Sequence, residues 1–124
     1  PMFSYSRVSS RQVQDGLSKT IAVGERHIPP PPAAAPAGGI HLAQGDTAFH
    51  SSDTPDTIFA SSHEGFAEGP DDPSSEKFGS EHDVVSHFLL LDGHVQALEH
   101  SLDTEALQLL TAIADGRIIP DAAL

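Results

Sequence analysis

The chain has 124 residues, of which six are Lys or Arg and eighteen are Asp or Glu, so its formal net charge is −12. Six scattered cations cannot form the basic face that nucleic acid or an anionic membrane surface requires, which excludes both as partners. The absence of cysteine excludes disulfide bonds, thiolate metal sites and cysteine nucleophiles. Because aromatic residues are few, we expect a small core of mainly aliphatic side chains.

Residues 1–28 form the first of three blocks and predict one strand. Asp15 and Gly16 are typical of a turn. The stretch 20–28 then favours a strand because it contains two closely spaced β-branched residues, and Gly24 indicates a bulge within it.

Residues 29–77 form the second block, which is rich in Pro, Gly, Ser and Asp. Four consecutive prolines open the stretch 29–39 and predict an extended polyproline II arm, which either lies along a neighbouring subunit or drapes over its own domain. The rest predicts a long acidic loop with two apolar islands, at 47–50 and 57–60, that act as short strands or as anchors on the core. A loop of this length inside a compact domain is either functional or mobile.

A β-hairpin is predicted at the start of the third block, residues 78–124. The apolar runs 84–91 and 94–98 flank Asp92-Gly93, and this dipeptide is the strongest short-range signal for a hairpin. We expect a two-residue type I′ turn in which the residues on either side of Asp92-Gly93 lie opposite one another.

A helix is predicted over 103–116, and a short closing strand over 117–119. Asp103 is a good N-cap, Gly116 suits the C-terminal end, and apolar residues at spacings of three and four form one face. The order strand, hairpin, helix, strand within a single domain of residues 1–124 predicts an α+β fold. We expect a small antiparallel sheet, one packed helix and long irregular loops.

Two short motifs resemble a known family. A histidine followed by nine residues and then Asp-Gly is similar to the H-X9-DG signature of the prepilin-like secreted proteins abundant in planctomycetes, the DUF1559 family. An earlier Asp-Gly block that ends in Gly-Glu is similar to a second conserved block of that family. The residues that carry the resemblance are His82, Asp92, Gly93, Asp15, Gly16, Gly24 and Glu25.

The resemblance implies an exported, pilin-like or pseudopilin-like protein with no known enzymatic activity. Family members begin with a type IV prepilin leader and a long hydrophobic helix. Neither is present in this sequence, which begins with Pro-Met, so we expect a processed or partial chain that corresponds to the C-terminal globular portion.

Histidines and acidic residues are the candidate metal ligands. Eight histidines invite a transition-metal hypothesis, but the predicted helix lacks the i, i+4 pair of a helical site, so we favour surface or hydrogen-bonded histidines. For His82 we expect the ring to bond a backbone carbonyl or a carboxylate beside the start of the hairpin. Calcium prefers oxygen ligands from flexible loops, and its candidate ligands are Asp53, Asp56, Asp71 and Asp72.

The preferred functional hypothesis is a structural subunit of an extracellular or envelope filament, which acts by packing and strand pairing and not by catalysis. Its partners would be copies of itself or other envelope subunits. The alternative is a secreted surface module whose acidic loop binds calcium or a glycan. The Ser- and Thr-rich loop is also compatible with O-glycosylation, whereas the absence of Asn excludes N-glycosylation.

Overall fold

The computed structural model describes residues 7–30, 60–82, 84–114 and 116. Within these residues the chain forms an α+β domain with a three-stranded antiparallel sheet and one α-helix. The sheet order is β1-β2-β3, where β1 is Ile21–Gly24, β2 is Val85–Leu90 and β3 is Val95–Glu99. Helix α1 is Thr104–Thr111, and two single 3₁₀ turns, Ser10–Gln12 and Leu17–Lys19, precede β1.

The predicted hairpin is confirmed, but its turn contains three residues and not two. Leu90 lies opposite His94, with the Leu90 N–H donating to the His94 carbonyl at 2.9 Å, and the Gly93 N–H donates to the Leu90 carbonyl at 3.0 Å. Gly93 has a φ of +97°, so a single glycine in this region closes a three-residue loop. The predicted cross-strand register is therefore wrong by one residue, and His87 lies opposite Ala97 instead of Leu98.

Strand β1 is shorter than predicted, and its irregularity does not lie at Gly24. The register of β1 against β2 shifts between Ile21 and Val23, whereas Gly24 pairs regularly with Phe88. Glycine is required at this position for another reason. A Cβ atom on Gly24 would come within 2.6 Å of Phe88 Cδ1, because the Phe88 ring packs directly against the strand backbone.

The core is small and mainly aliphatic, as expected from composition, with a few aromatic rings packed among the aliphatic side chains. Phe88 is fully buried and contacts Phe78 and Phe66 edge-on, with ring centroids 5.3 Å and 6.0 Å away. Aliphatic side chains from the sheet and α1 complete the core.

Helix α1 begins where predicted but ends at Thr111, about one turn before the end that Gly116 at the C′ position predicts. The Asp103 side chain accepts a hydrogen bond from the Glu105 N–H, which is the expected N-cap. The chain becomes extended at Ala112, and the Ile113 carbonyl then accepts the Gln14 N–H at 2.6 Å. Contact with the first block therefore replaces the last predicted turn.

Residues 60–78 pair with one another and with the residues that follow β1. The Ala67 N–H donates to the Phe78 carbonyl at 2.8 Å within the segment, and the His27 N–H donates to the Lys77 carbonyl at 3.1 Å. The polyproline II arm from residue 31 onward, the two apolar islands up to residue 59 and the closing strand 117–119 lie outside the described residues. No helix in the described part of the chain is long and apolar enough to cross a membrane.

Candidate functional site on the outer face of the sheet

One face of the sheet packs on the core, and the other, called the outer face here, points away from it. Residues along β2 alternate between buried and exposed positions, as expected for a strand with one covered side. Val23, Leu89 and Val95 lie side by side on the outer face because Leu89 pairs with both of the others. They are 55%, 37% and 63% exposed, respectively, and form an apolar row across all three strands.

Strand β3 forms one edge of the sheet, and its outward backbone groups can be identified. Leu90 and His94 form a hydrogen-bonded pair across the hairpin. Because hydrogen-bonded and non-hydrogen-bonded pairs alternate in antiparallel sheets, Val95, Ala97 and Glu99 direct their N–H and C=O groups away from β2. Within the described residues no strand pairs with this edge.

Glu25, His82 and His87 meet on the outer face, at the opposite end of β2 from the hairpin turn. One ligand atom from each of the three side chains lies within 4.8 Å of the other two. Glu25 Oε1 is 3.9 Å from His82 Nε2, and Glu25 Oε2 is 3.3 Å from His87 Nδ1. The two imidazoles contact each other edge-on, with centroids 5.1 Å apart. All three side chains are more than one-third exposed.

Backbone pairing brings these three residues together. Glu25 follows directly after β1, and its N–H donates to the His87 carbonyl at 3.2 Å. Its carboxylate also accepts the His87 N–H at 2.6 Å, so the side chain continues the strand pairing beyond Gly24. His82 precedes β2, where its N–H donates to Ser80 Oγ at 3.1 Å. The His82 ring lies beside the Glu25 carboxylate, but the 3.9 Å separation is too long for the hydrogen bond that the sequence predicted.

The two Asp-Gly pairs of the family motifs have structural roles. Asp15 Oδ1 accepts the Gly116 N–H at 3.3 Å, which links the first block to the chain that follows α1. Gly16 has a φ of +100°, which a glycine adopts easily in a turn. Asp92 Oδ1 accepts the His94 N–H at 3.1 Å and contacts His94 Nδ1 at 2.6 Å. These hydrogen bonds lower the pKa of Asp92, and the bond from the His94 backbone N–H has the largest effect.

Asp72 is one of the four calcium candidates, and its carboxylate is hydrogen-bonded within its own loop. Its carboxylate accepts hydrogen bonds from Lys77 Nζ at 2.8 Å, from the Glu68 N–H at 3.0 Å and from the Ser74 N–H at 2.9 Å. The Lys77 ammonium, followed by these backbone donors, holds the pKa of Asp72 well below its usual range. The Asp72 side chain is only 6% exposed, so this carboxylate is buried within the loop and does not face solvent.

The structure gives less about the other calcium candidates. Asp71 is exposed, and Asp53 and Asp56 lie outside the described residues, so a shared calcium site stays a prediction. A calcium ion at Asp72 would have to compete with Lys77 for the same oxygen atom, Oδ2.

Several other histidines form hydrogen bonds, as the sequence indicated. His27 is buried, with Nε2 2.7 Å from the Asp72 carbonyl oxygen, and His100 Nε2 is 2.9 Å from Ser86 Oγ. Sequence analysis missed the Glu25–His82–His87 cluster, because its members are separated along the chain and meet only when β1 pairs with β2. The sequence feature that could have pointed to the cluster is that Glu25 and His82 belong to the two motifs of the family resemblance.

These observations define a small α+β domain whose motif residues fix two turns and one cluster on the outer face. The chain matches the family described as "Protein of unknown function (DUF1559)" over residues 2–105, and it belongs to that family. This confirms the resemblance identified from the sequence motifs. No curated protein and no solved structure matches the chain.

Proposed function

We propose that this domain is a structural subunit of an exported, pilin-like assembly at the cell surface or outside the cell. In this proposal it acts by packing and strand pairing with further copies of itself, not by catalysis. The observation that carries the proposal is the apolar row Val23, Leu89 and Val95 on the outer face. A single exposed apolar residue is ordinary on a protein surface, whereas a contiguous row favours a contact surface.

The energetic case for packing rests on the area of this row. Full burial of a Val or Leu side chain contributes about 1.5–3 kcal/mol relative to full exposure. The three side chains of the row retain between about one-third and two-thirds of their exposure, so a partner that covers them gains a part of that free energy from each.

The edge of β3 lies next to the apolar row and supports a second copy as the partner. Antiparallel pairing of two β3 strands about Ala97 would place Glu99 of each copy opposite Val95 of the other. Like charges directly opposite one another destabilise a sheet, and this pairing avoids them. It would also bring the two apolar rows onto one continuous outer face.

The test measures the size of the 124-residue chain by sedimentation velocity and negative-stain imaging. The disrupting variant is Val95→Glu, because it adds a charge to the row and places that charge opposite Glu99 of the other copy. We expect the unmodified chain to form oligomers or filaments that grow with concentration, and Val95→Glu to shift them to monomers. Val84→Glu is the matched control, because Val84 is equally exposed, at 65%, but does not belong to the row. A chain that stays monomeric at its highest soluble concentration would contradict the proposal, as would equal assembly of Val95→Glu.

A further inference from the structure

We propose that Glu25, His82 and His87 form a binding site for a divalent transition-metal ion, with Zn²⁺ as the best-suited candidate. The inference rests on the proximity of three ligand atoms, all within 4.8 Å of one another. It is independent of self-assembly, because all three ligands come from one chain.

The donor set matches the chemistry of zinc. Zn²⁺ binds imidazole nitrogen and carboxylate oxygen at about 2.0–2.2 Å in tetrahedral sites, which places neighbouring ligand atoms about 3.3 Å apart. Glu25 Oε1 is 3.9 Å from His82 Nε2, and one ligand atom from each of the three residues lies within 4.8 Å of the other two, so side-chain rotations must shorten these spacings to reach the tetrahedral geometry. Two imidazoles disfavour Ca²⁺ and Mg²⁺, which prefer oxygen ligands.

The Glu25 carboxylate is held in position before any metal binds. Its Oε2 accepts the backbone N–H of His87 at 2.6 Å, while Oε1 is the atom nearest to His82. A hydrogen bond to one oxygen of a metal-binding carboxylate orients the other and reduces the cost of ordering it. The pairing of the residue after β1 with β2 fixes the separation of Glu25 and His87, so two of the three ligands are preorganised.

The cluster is accessible to an ion from solvent. The side chains of His82 and His87 are 57% and 45% exposed, and the cross-strand neighbour of His87 is the small residue Ala97. Three protein ligands leave a fourth tetrahedral position for a water molecule. The formal charge of −12 also raises the local concentration of cations around the chain.

The experiment titrates the 124-residue chain with ZnCl₂ in an isothermal calorimeter. We expect one Zn²⁺ per chain, and binding at least about tenfold weaker in His82→Ala and in His87→Ala, because each variant removes a direct ligand. His63→Ala is the matched control, since it removes one exposed imidazole outside the cluster. Glu25→Gln tests the carboxylate and retains an amide oxygen that can accept the His87 N–H.

Two further measurements separate metal binding from folding and from assembly. Thermal unfolding without metal must show that each variant is folded. Zn²⁺ should then raise the Tm of the unmodified chain and of His63→Ala more than that of His82→Ala. Titration of Val95→Glu should retain one Zn²⁺ per chain, whether or not assembly occurs. Absence of Zn²⁺ binding, unchanged affinity in both His82→Ala and His87→Ala, or loss of binding in Val95→Glu would overturn the inference.

Discussion

Gly24 occupies a position in β1 at which no side chain fits. A Cβ atom there would lie 2.6 Å from Phe88 Cδ1 and 3.0 Å from Phe78 Cε1, and these two rings lie within the packed core. The glycine of the family's Gly-Glu motif is therefore explained by aromatic packing on the strand backbone. The glutamate that follows it is the first residue of the outer-face cluster.

We predict that Gly24→Ala destabilises the domain by about 1–3 kcal/mol, because an added methyl group forces the core rings to move. Urea denaturation followed by circular dichroism measures the change in the free energy of unfolding. Gly69→Ala is the control, since nothing lies within 4 Å of a Cβ at Gly69. We expect that variant to be neutral or slightly stabilised, by up to about 1 kcal/mol. Equal effects of the two substitutions would contradict the packing explanation.

Asp72 gives the residue-scale pH prediction. Its pKa is lowered on folding, mainly by Lys77 and by two backbone N–H groups. The stabilising contribution is therefore fully present above the pKa of Asp in the unfolded chain, about 3.9, and is lost as the pH falls through the lower folded pKa.

We expect Asp72→Asn to lower the free energy of unfolding by about 1–2 kcal/mol at pH 7, a value that allows for solvent screening at Lys77. The difference from the unmodified chain should shrink below about pH 4, where the unfolded Asp becomes protonated. Urea denaturation at a series of pH values measures this difference. Asp71→Asn, at an exposed neighbour, should change stability by less than about 0.5 kcal/mol throughout. A difference for Asp72→Asn that does not depend on pH would refute the charge-based account.

At the scale of elements, the hairpin shows what sequence signals can and cannot specify. The Asp-Gly pair between apolar runs correctly predicted two strands and the turn that joins them. It did not distinguish a two-residue from a three-residue loop, because a glycine with positive φ occurs in both kinds of loop. The register therefore differs by one residue from the predicted one. The helix start was predictable from Asp103, whose cap is local. The helix end was not, because it depends on a contact between Ile113 and Gln14.

The edge of β3 provides a prediction about strand pairing. The N–H of Ala97 points away from β2, so Ala97→Pro removes an outward donor without removing a hydrogen bond from the existing sheet. We expect this variant to stay folded but to lose assembly, whereas Ala97→Val should retain both. Sedimentation velocity measures assembly, and thermal unfolding checks the fold. Assembly by a folded Ala97→Pro chain would show that copies do not pair through this edge.

At the scale of the whole molecule, the candidate site depends on two long-range relations that sequence alone does not give. The alternating pattern of β2 indicated which residues face outward, but the apolar row exists only because Val23 and Val95 both pair with Leu89. The cluster likewise requires the antiparallel contact of β1 with β2, which brings Glu25 to His87. The motif residues could be identified from the sequence. That Glu25 and His82 lie close together could be known only once the order of the strands in the sheet was known.

The charge of the whole chain gives the last prediction, which concerns the salt dependence of assembly. Copies that each carry a formal charge of −12 repel one another, and this repulsion opposes contact between their apolar rows. The screening length falls from about 30 Å at 0.01 M salt to about 3 Å at 1 M. We therefore expect self-association to strengthen as NaCl is raised, as measured by the weight-average mass in sedimentation equilibrium.

Val95→Glu and Val84→Glu together separate charge from packing as the cause of this effect. Each substitution adds one negative charge, so a mechanism governed by net charge alone predicts that both variants associate more weakly at low salt and to the same extent. If the apolar row drives assembly, Val95→Glu should associate more weakly than Val84→Glu at every salt concentration, because a carboxylate on the row must be desolvated on contact. Val84→Glu carries its charge outside the row, and it should approach the unmodified chain at high salt. Assembly that weakens steadily with salt would indicate that ion pairs, and not the apolar row, hold the copies together.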